Sequence, residues 1–171
     1  MRKIIISIFL VLNFLCSCSE RSETALDWFN KAKALNYTDQ KKAIEYLNNA
    51  IKLNPSYADA YNDRGIAYTQ LGQYQRAIEE YNEAIRLKPD NVDTYNNRGI
   101  VYFNLGQYQR TIKDSNEAIR LKPDNANAYN NRGASYLKQG NKNLGCRDLQ
   151  KACVLKKCEL LETTKSKGLC H

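Results

Sequence analysis

The sequence predicts an all-α solenoid of about four helix-turn-helix repeats, closed by a short C-terminal capping helix. Three observations predict it. Residues 58–91 recur as 92–125 without a gap, identical at 24 of 34 positions. Within each copy, small and aromatic residues fall at helical spacing (Tyr61, Gly65, Tyr68, then Ala77, Tyr81, Ala84). Leu71-Gly72-Gln73 separates the two runs and Lys88-Pro89-Asp90 ends the second. The 171 residues include twelve tyrosines but only eight glycines and three prolines, a balance suited to helices that pack through aromatic rings.

In chain order, residues 1–17 read as an export signal. Met1-Arg2-Lys3 is a positive start, and Ile4 to Leu15 is an apolar run broken only by Ser7 and Asn13. Twelve helical residues rise about 18 Å against roughly 30 Å of hydrocarbon, too short for a permanent span. The run ends in Leu15-Cys16-Ser17-Cys18, which resembles the bacterial lipobox: Leu at the third place before cleavage, a small residue just before it, then Cys. Cys16 at the second place departs mildly from that pattern. The resemblance implies lipidation of Cys18, a mature chain held on a bilayer by acyl groups, and residues 18–24 as a polar tether.

Residues 25–57 form a degenerate first unit with Trp28, Ala32, Leu35, Ala43, Leu47, Ala50 and Pro55, one residue short in the turn around Thr38-Asp39. Residues 58–91 and 92–125 are the second and third units, the latter with Thr111 and Ser115 where Ala77 and Tyr81 stand in its neighbour. Residues 126–157 are a degenerate fourth unit (Tyr129, Gly133, Tyr136, Gly145, Leu149, Ala152), with Lys157 in place of the proline. Residues 158–171 hold the capping helix, read over Glu159 to Lys167 with Leu160 and Leu161 on its apolar side.

The pattern resembles the tetratricopeptide repeat (TPR), whose signature places are met by Tyr61, Gly65, Tyr68, Ala77, Tyr81, Ala84 and Pro89. Arg64 stands where a large aliphatic is usual and recurs as Arg98 and Arg132. The resemblance covers residues 25 to 157. It implies a concave surface lined by the first helix of each unit. The lining residues expected are Asn62 and Ile66, with Asp59, Asp63 and Thr69; then Asn96, Asn97, Ile100 and Phe103, with Asp93; then Asn130, Asn131 and Leu137, with Asn127 and Ala134. An asparagine amide offers one acceptor and one NH2 donor, so a ladder of Asn62, Asn96 and Asn130 suits an extended peptide backbone. The family's carboxylate clamp is not expected, because its Lys and Arg partners are missing from the first helices.

No G-x-S-x-G, Walker loop, H-E-x-x-H, C-x-x-C pair or glycine-rich phosphate cradle is present, so no enzyme, cofactor, metal site or small-molecule substrate is expected. Glu79, Glu80, Asp59 and Asp63 read as a solvated helix face. The formal +8 falls to +6 without Arg2 and Lys3; residues 18–125 balance fifteen basic against fifteen acidic, and residues 126–171 carry nine against three. Dispersed lysines without interleaved exposed aromatics make a poor nucleic-acid track.

Four cysteines fall in the last 26 residues, which in an oxidising compartment suggests two bridges among three connectivities. Cys146 and Cys153 lie about 10 Å apart along one helix, too far to join. A chain reversal near Lys156-Lys157 would nest Cys153 with Cys158 and Cys146 with Cys170; a zinc site is the alternative, without the usual close pair. The expectation is a non-catalytic protein-binding lipoprotein of a bacterial envelope, most naturally on the outer membrane facing the periplasm, that acts as adaptor or assembly factor for another envelope protein or peptide segment. An accessory to a peptidoglycan or polysaccharide enzyme and a self-associating spacer are the alternatives.

Overall fold

In the computed structural model, residues 22–35 and 38–170 are described; the signal, Cys18 and most of the tether lie outside them. The described residues form nine helices and no strand: α1 (Ala25–Ala34), α2 (Gln40–Leu53), α3 (Ala58–Gln70), α4 (Tyr74–Leu87), α5 (Val92–Asn104), α6 (Tyr108–Leu121), α7 (Ala126–Lys138), α8 (Lys142–Val154) and α9 (Glu159–Ser166). They pack as four consecutive pairs, α1 with α2 through α7 with α8, and α9 lies on α8. The first helices also touch one another, α3 with α5 and α5 with α7, which places them along one side of the stack.

Each element begins and ends for a local reason. Thr24 and Asp27 form a capping box at the start of α1, and Asn91, Asn125 and Asn141 cap α5, α7 and α8 through their side chains. α3, α5 and α7 stop at Gly72, Gly106 and Gly140, whose φ angles of 72°, 72° and 81° let the chain turn back. At the end of α8 the same turn is made by Lys156 at φ 70°, with Lys156 N–H bonded to Cys153 O and Lys157 N–H to Ala152 O.

Packing follows the repeat. Tyr81 is 1% exposed, and a Cβ on Gly65 would sit 2.6 Å from its ring, so only glycine admits it. In the third unit Thr111 and Ser115 replace the bulk: Thr111 Oγ1 donates to Gly99 O at 3.1 Å, and a Cβ on Gly99 would meet nothing nearer than Asp114 Cβ at 3.7 Å. Core clusters therefore succeed one another along the stack, from Ala32, Leu47 and Ala50, through Tyr81 with Val101 and Tyr95 with Ala118, to Leu149 with Leu161.

Between the units runs a second, polar repeat. Arg64, Arg98 and Arg132 each fork onto a carboxylate on the second helix of their own unit: Glu80, Asp114 and Asp148, at 2.7–2.9 Å. Each also donates to an asparagine on the second helix of the preceding unit: Asn48, Asn82 and Asn116, at 2.6–2.7 Å. Every guanidinium lies over a tyrosine ring as well, Tyr61, Tyr95 or Tyr129. Glu80 is thus no solvated carboxylate: burial raises its pKa although Arg64 works against that shift.

At the C-terminal end, Cys146 is joined to Cys170 and Cys153 to Cys158, with Cα separations of 5.5 and 4.0 Å. Both pairs lie around α9, whose Leu161 covers Leu149.

The two glycines give opposite expectations. Gly65→Ala should destabilise the protein by about 1–3 kcal/mol through the clash with Tyr81. Gly99→Ala, with room for its methyl, should be neutral to about 1 kcal/mol stabilising. Urea unfolding followed by circular dichroism distinguishes them.

Candidate functional site

The side formed by the first helices holds a groove of about 450 Å³. Helical spacing at i, i+1 and i+4 brings Asn62, Asp63 and Ile66 of α3 to it; Asp93, Asn96, Asn97 and Ile100 of α5 follow, then Asn127 and Asn131 of α7. Lys33, on α1, and Lys157, after α8, complete the wall.

Part of this wall is already tied to itself. Asn97 Nδ2 donates to Asn62 Oδ1 at 3.2 Å, and Asn62 Nδ2 donates to Asp63 Oδ1 at 3.1 Å, so these amides brace α3 against α5. Lys157 Nζ donates to Asn127 Oδ1 at 2.5 Å. Asn96 is different. It is 6% exposed, and neither its Oδ1 nor its Nδ2 has a hydrogen-bond partner; Asn131 Nδ2 is unpaired too. A buried polar group left unmatched costs about 1–3 kcal/mol, and both residues stand on helices that line the groove.

Six residues expected on the wall lie off it: Asp59 stands 4.0 Å from Lys88 Nζ, Thr69 Oγ1 donates to Gly65 O at 2.8 Å, Ala134 is not among the lining residues, and three more are drawn elsewhere. Leu137 packs inward against the Leu149 cluster and approaches the Cα of Gly145 too closely for a side chain there. Phe103 stacks edge-on with Tyr108 across the α5–α6 turn, at 5.4 Å. Asn130 is off the groove, its buried Oδ1 unpaired. Asp63, expected in solvent, has a side chain only 14% exposed, with Lys33 Nζ 3.7 Å away. Desolvation raises its pKa, and Lys33 and the Asn62 amide offset this in part.

Lys33 and Lys157 were not singled out by the sequence pattern. Lys33 follows the signature Ala32 without a repeated counterpart, and Lys157 occupies the place of the repeat-ending proline. They belong to different ends of the helix row, one beside Asp63 and the other on Asn127, and do not converge as a clamp.

The TPR repeat model matches residues 39–72, 65–106 and 101–140. The chain belongs to the tetratricopeptide repeat family. An uncharacterized protein of Methanocaldococcus jannaschii is 48% identical over 40 residues, 23% of this chain and 46% of that protein, so the match spans less than half of the relative's length. The crystal structure of MamA superposes with a TM-score of 0.73 at 25% identity, covering 80% of each chain. The TPR domain of Arabidopsis OM64 gives 0.61 at 25% identity, over 65% of this chain and 95% of that one. A TPR stack of this kind is in general an interaction scaffold and not a catalytic one. Among the described residues no group of His, Cys, Asp and Glu is placed to hold a metal, and no helix is long and apolar enough to cross a membrane.

Asp63 gives this TPR groove a pH signature. Its folded pKa lies above the unfolded value, so ionising it costs more in the folded state, and its contribution falls as pH rises through the folded pKa. Asp63→Asn should match the wild type near pH 3.5 and be the more stable protein at pH 7. Urea midpoints at the two pH values test the sign.

Proposed function

We propose that this chain is a lipid-anchored interaction module of a bacterial envelope, an adaptor or assembly factor that holds an extended segment of another envelope protein in its concave groove. The observation that carries the reading is Asn96, an amide buried in the groove wall with both hydrogen-bonding groups unused. A peptide backbone supplies the complementary N–H and C=O whatever its side chains, and Asn131 Nδ2 offers a second donor on the next helix. The TPR family supports binding by such a surface. The lipobox-like Leu15-Cys16-Ser17-Cys18 supports the anchor, with Cys18 as acceptor. The groove wall offers no run of stacking aromatics for nucleic acid.

Because the Asn96 amide and Asn131 Nδ2 make no hydrogen bond within the protein, their removal separates binding from folding. Asn96→Ala with Asn131→Ala should leave the helical circular dichroism intact. It should weaken capture of a photo-crosslinked envelope partner, identified by mass spectrometry, by about tenfold or more, the equivalent of three hydrogen bonds at about 0.5–1.5 kcal/mol each. Undiminished capture returns these residues to the scaffold.

Anchoring is tested separately. Cys18→Ala should abolish fatty-acid labelling and move the protein from the membrane to the soluble fraction or leave unprocessed precursor. An unlabelled native protein defeats the lipoprotein reading.

A further inference from the structure

The first unit differs from the second in bulk at places that the repeat aligns. Where the second unit has Tyr68, Tyr74 and Tyr81, the first has Leu35, Gln40 and Leu47. In the second unit these rings fill the interior: Tyr81 is fully buried, with Tyr68 and Tyr74 packed on its cluster. In the first unit the shorter side chains leave a cavity of about 140 Å³ among α1, α2 and α3. Ala32, Ala43, Leu47 and Ala67 wall it, and Gln40 and Gln70 face it, joined by a hydrogen bond of 3.0 Å. Lys33 and Asp63 line both this cavity and the groove, so the cavity adjoins the groove at that pair as a side chamber.

Its size and chemistry define what fits. An apolar cavity of about 150 Å³ holds one benzene-sized guest; this one, apolar at Ala32, Ala43, Leu47 and Ala67 and polar at Gln40, Gln70 and the Lys33–Asp63 mouth, has room for a single aliphatic or one-ring side chain. Left unfilled, such a space forfeits the dispersion contacts of its walls. At its mouth, Lys33 Nζ pairs with Asp63 Oδ2 at 3.7 Å, and the other N–H groups of the ammonium and lone pairs of the carboxylate can take a further group beside the pair.

We infer that this chamber is the anchor pocket of the groove: it takes one Leu, Ile, Met or Phe side chain of the bound protein segment, while Asp63 accepts from a flanking backbone N–H and Lys33 donates to a flanking C=O. The inference rests on the groove holding a protein segment. It adds selectivity to a surface whose amides recognise only the backbone, because the chamber rejects charged side chains by desolvation and indole by volume.

Two variants fill the chamber from different walls. Ala32→Gly with Leu47→Tyr copies the Gly65–Tyr81 pair of the second unit, and Gln40→Tyr copies Tyr74. A random-peptide display library is selected against the full chain, and affinities are measured by fluorescence anisotropy. Enriched peptides should share one aliphatic or phenylalanine position, and its change to Ala should weaken binding at least tenfold. A factor of ten needs about 1.4 kcal/mol, which burial of one such side chain supplies. Each filled variant, checked for helix content, should bind the parent peptide at least tenfold more weakly and be indifferent to that Ala change. Selected peptides without a shared apolar position, or filled variants that bind as tightly as the wild type, overturn the anchor. The groove reading survives that result if Asn96→Ala with Asn131→Ala still weakens the same peptides. Failure to enrich any peptide overturns both.

Discussion

The buried arginine forks at Arg64, Arg98 and Arg132 set the relation of each unit to the one before it. One side chain touches three helices: its own, its partner in the same unit, and the second helix of the unit behind. Asp114 and Asp148 are only 4% exposed at the side chain, so the charges are taken largely out of water, and the fork offsets that cost only if its geometry is met. A leucine at the same place would pack without demanding one geometry. The forks instead fix an angular relation between neighbours, and a groove made of first helices inherits its curvature from that relation. The pKa of Arg132 is raised by its bond to Asp148, and that of Arg98, against the opposing effect of burial, by Asp114; both stay charged wherever the protein is folded.

The fold was legible because the copies repeat small and aromatic residues at the same helical places, Tyr61, Gly65, Tyr68 and Ala84 recurring as Tyr95, Gly99, Tyr102 and Ala118. Gly65, Ala77, Tyr81 and Ala84 announce two helices in contact, and a 34-residue period announces that the contact recurs. Arg64 was legible as a departure but not as a brace, since its partners lie sixteen residues to either side and only the folded stack brings Asn48 and Glu80 together. The same limit applies to Asp63 and Glu80, whose burial comes from helices that neither residue belongs to.

The groove was legible by half. Asn62, Asn96, Asn97 and Asn131 line it, because helical spacing alone puts them on the inner side. Which amides remain free could not be read from spacing: Asn97 donates to Asn62 across two helices and Asn62 donates on to Asp63, whereas Asn96, with the same chemistry, has no partner. Leu137 and Phe103 share the spacing but are drawn away by neighbours peculiar to their units, Gly145 and Tyr108. The chamber in the first unit is visible in sequence only as a shortage of rings, and a shortage becomes a space only if the backbones do not close over it. In the third unit, Ser115 takes the place of Tyr81, and Thr111, in the place of Ala77, bonds to the facing backbone.

The two disulfides make the ends of the stack unequal. They close loops that stay closed when the helices melt, so the last unit loses less entropy on refolding than the first, whose entry is secured by the Thr24–Asp27 box. Helix loss on heating should therefore start at α1 and proceed inward. The chain has one tryptophan, Trp28, and it lies in that first unit against Tyr46, with Lys31 over its ring. Its fluorescence is a reporter of the fraying end alone, and its transition precedes the melting of the stack as a whole, so the two signals trace a direction of unfolding along the molecule.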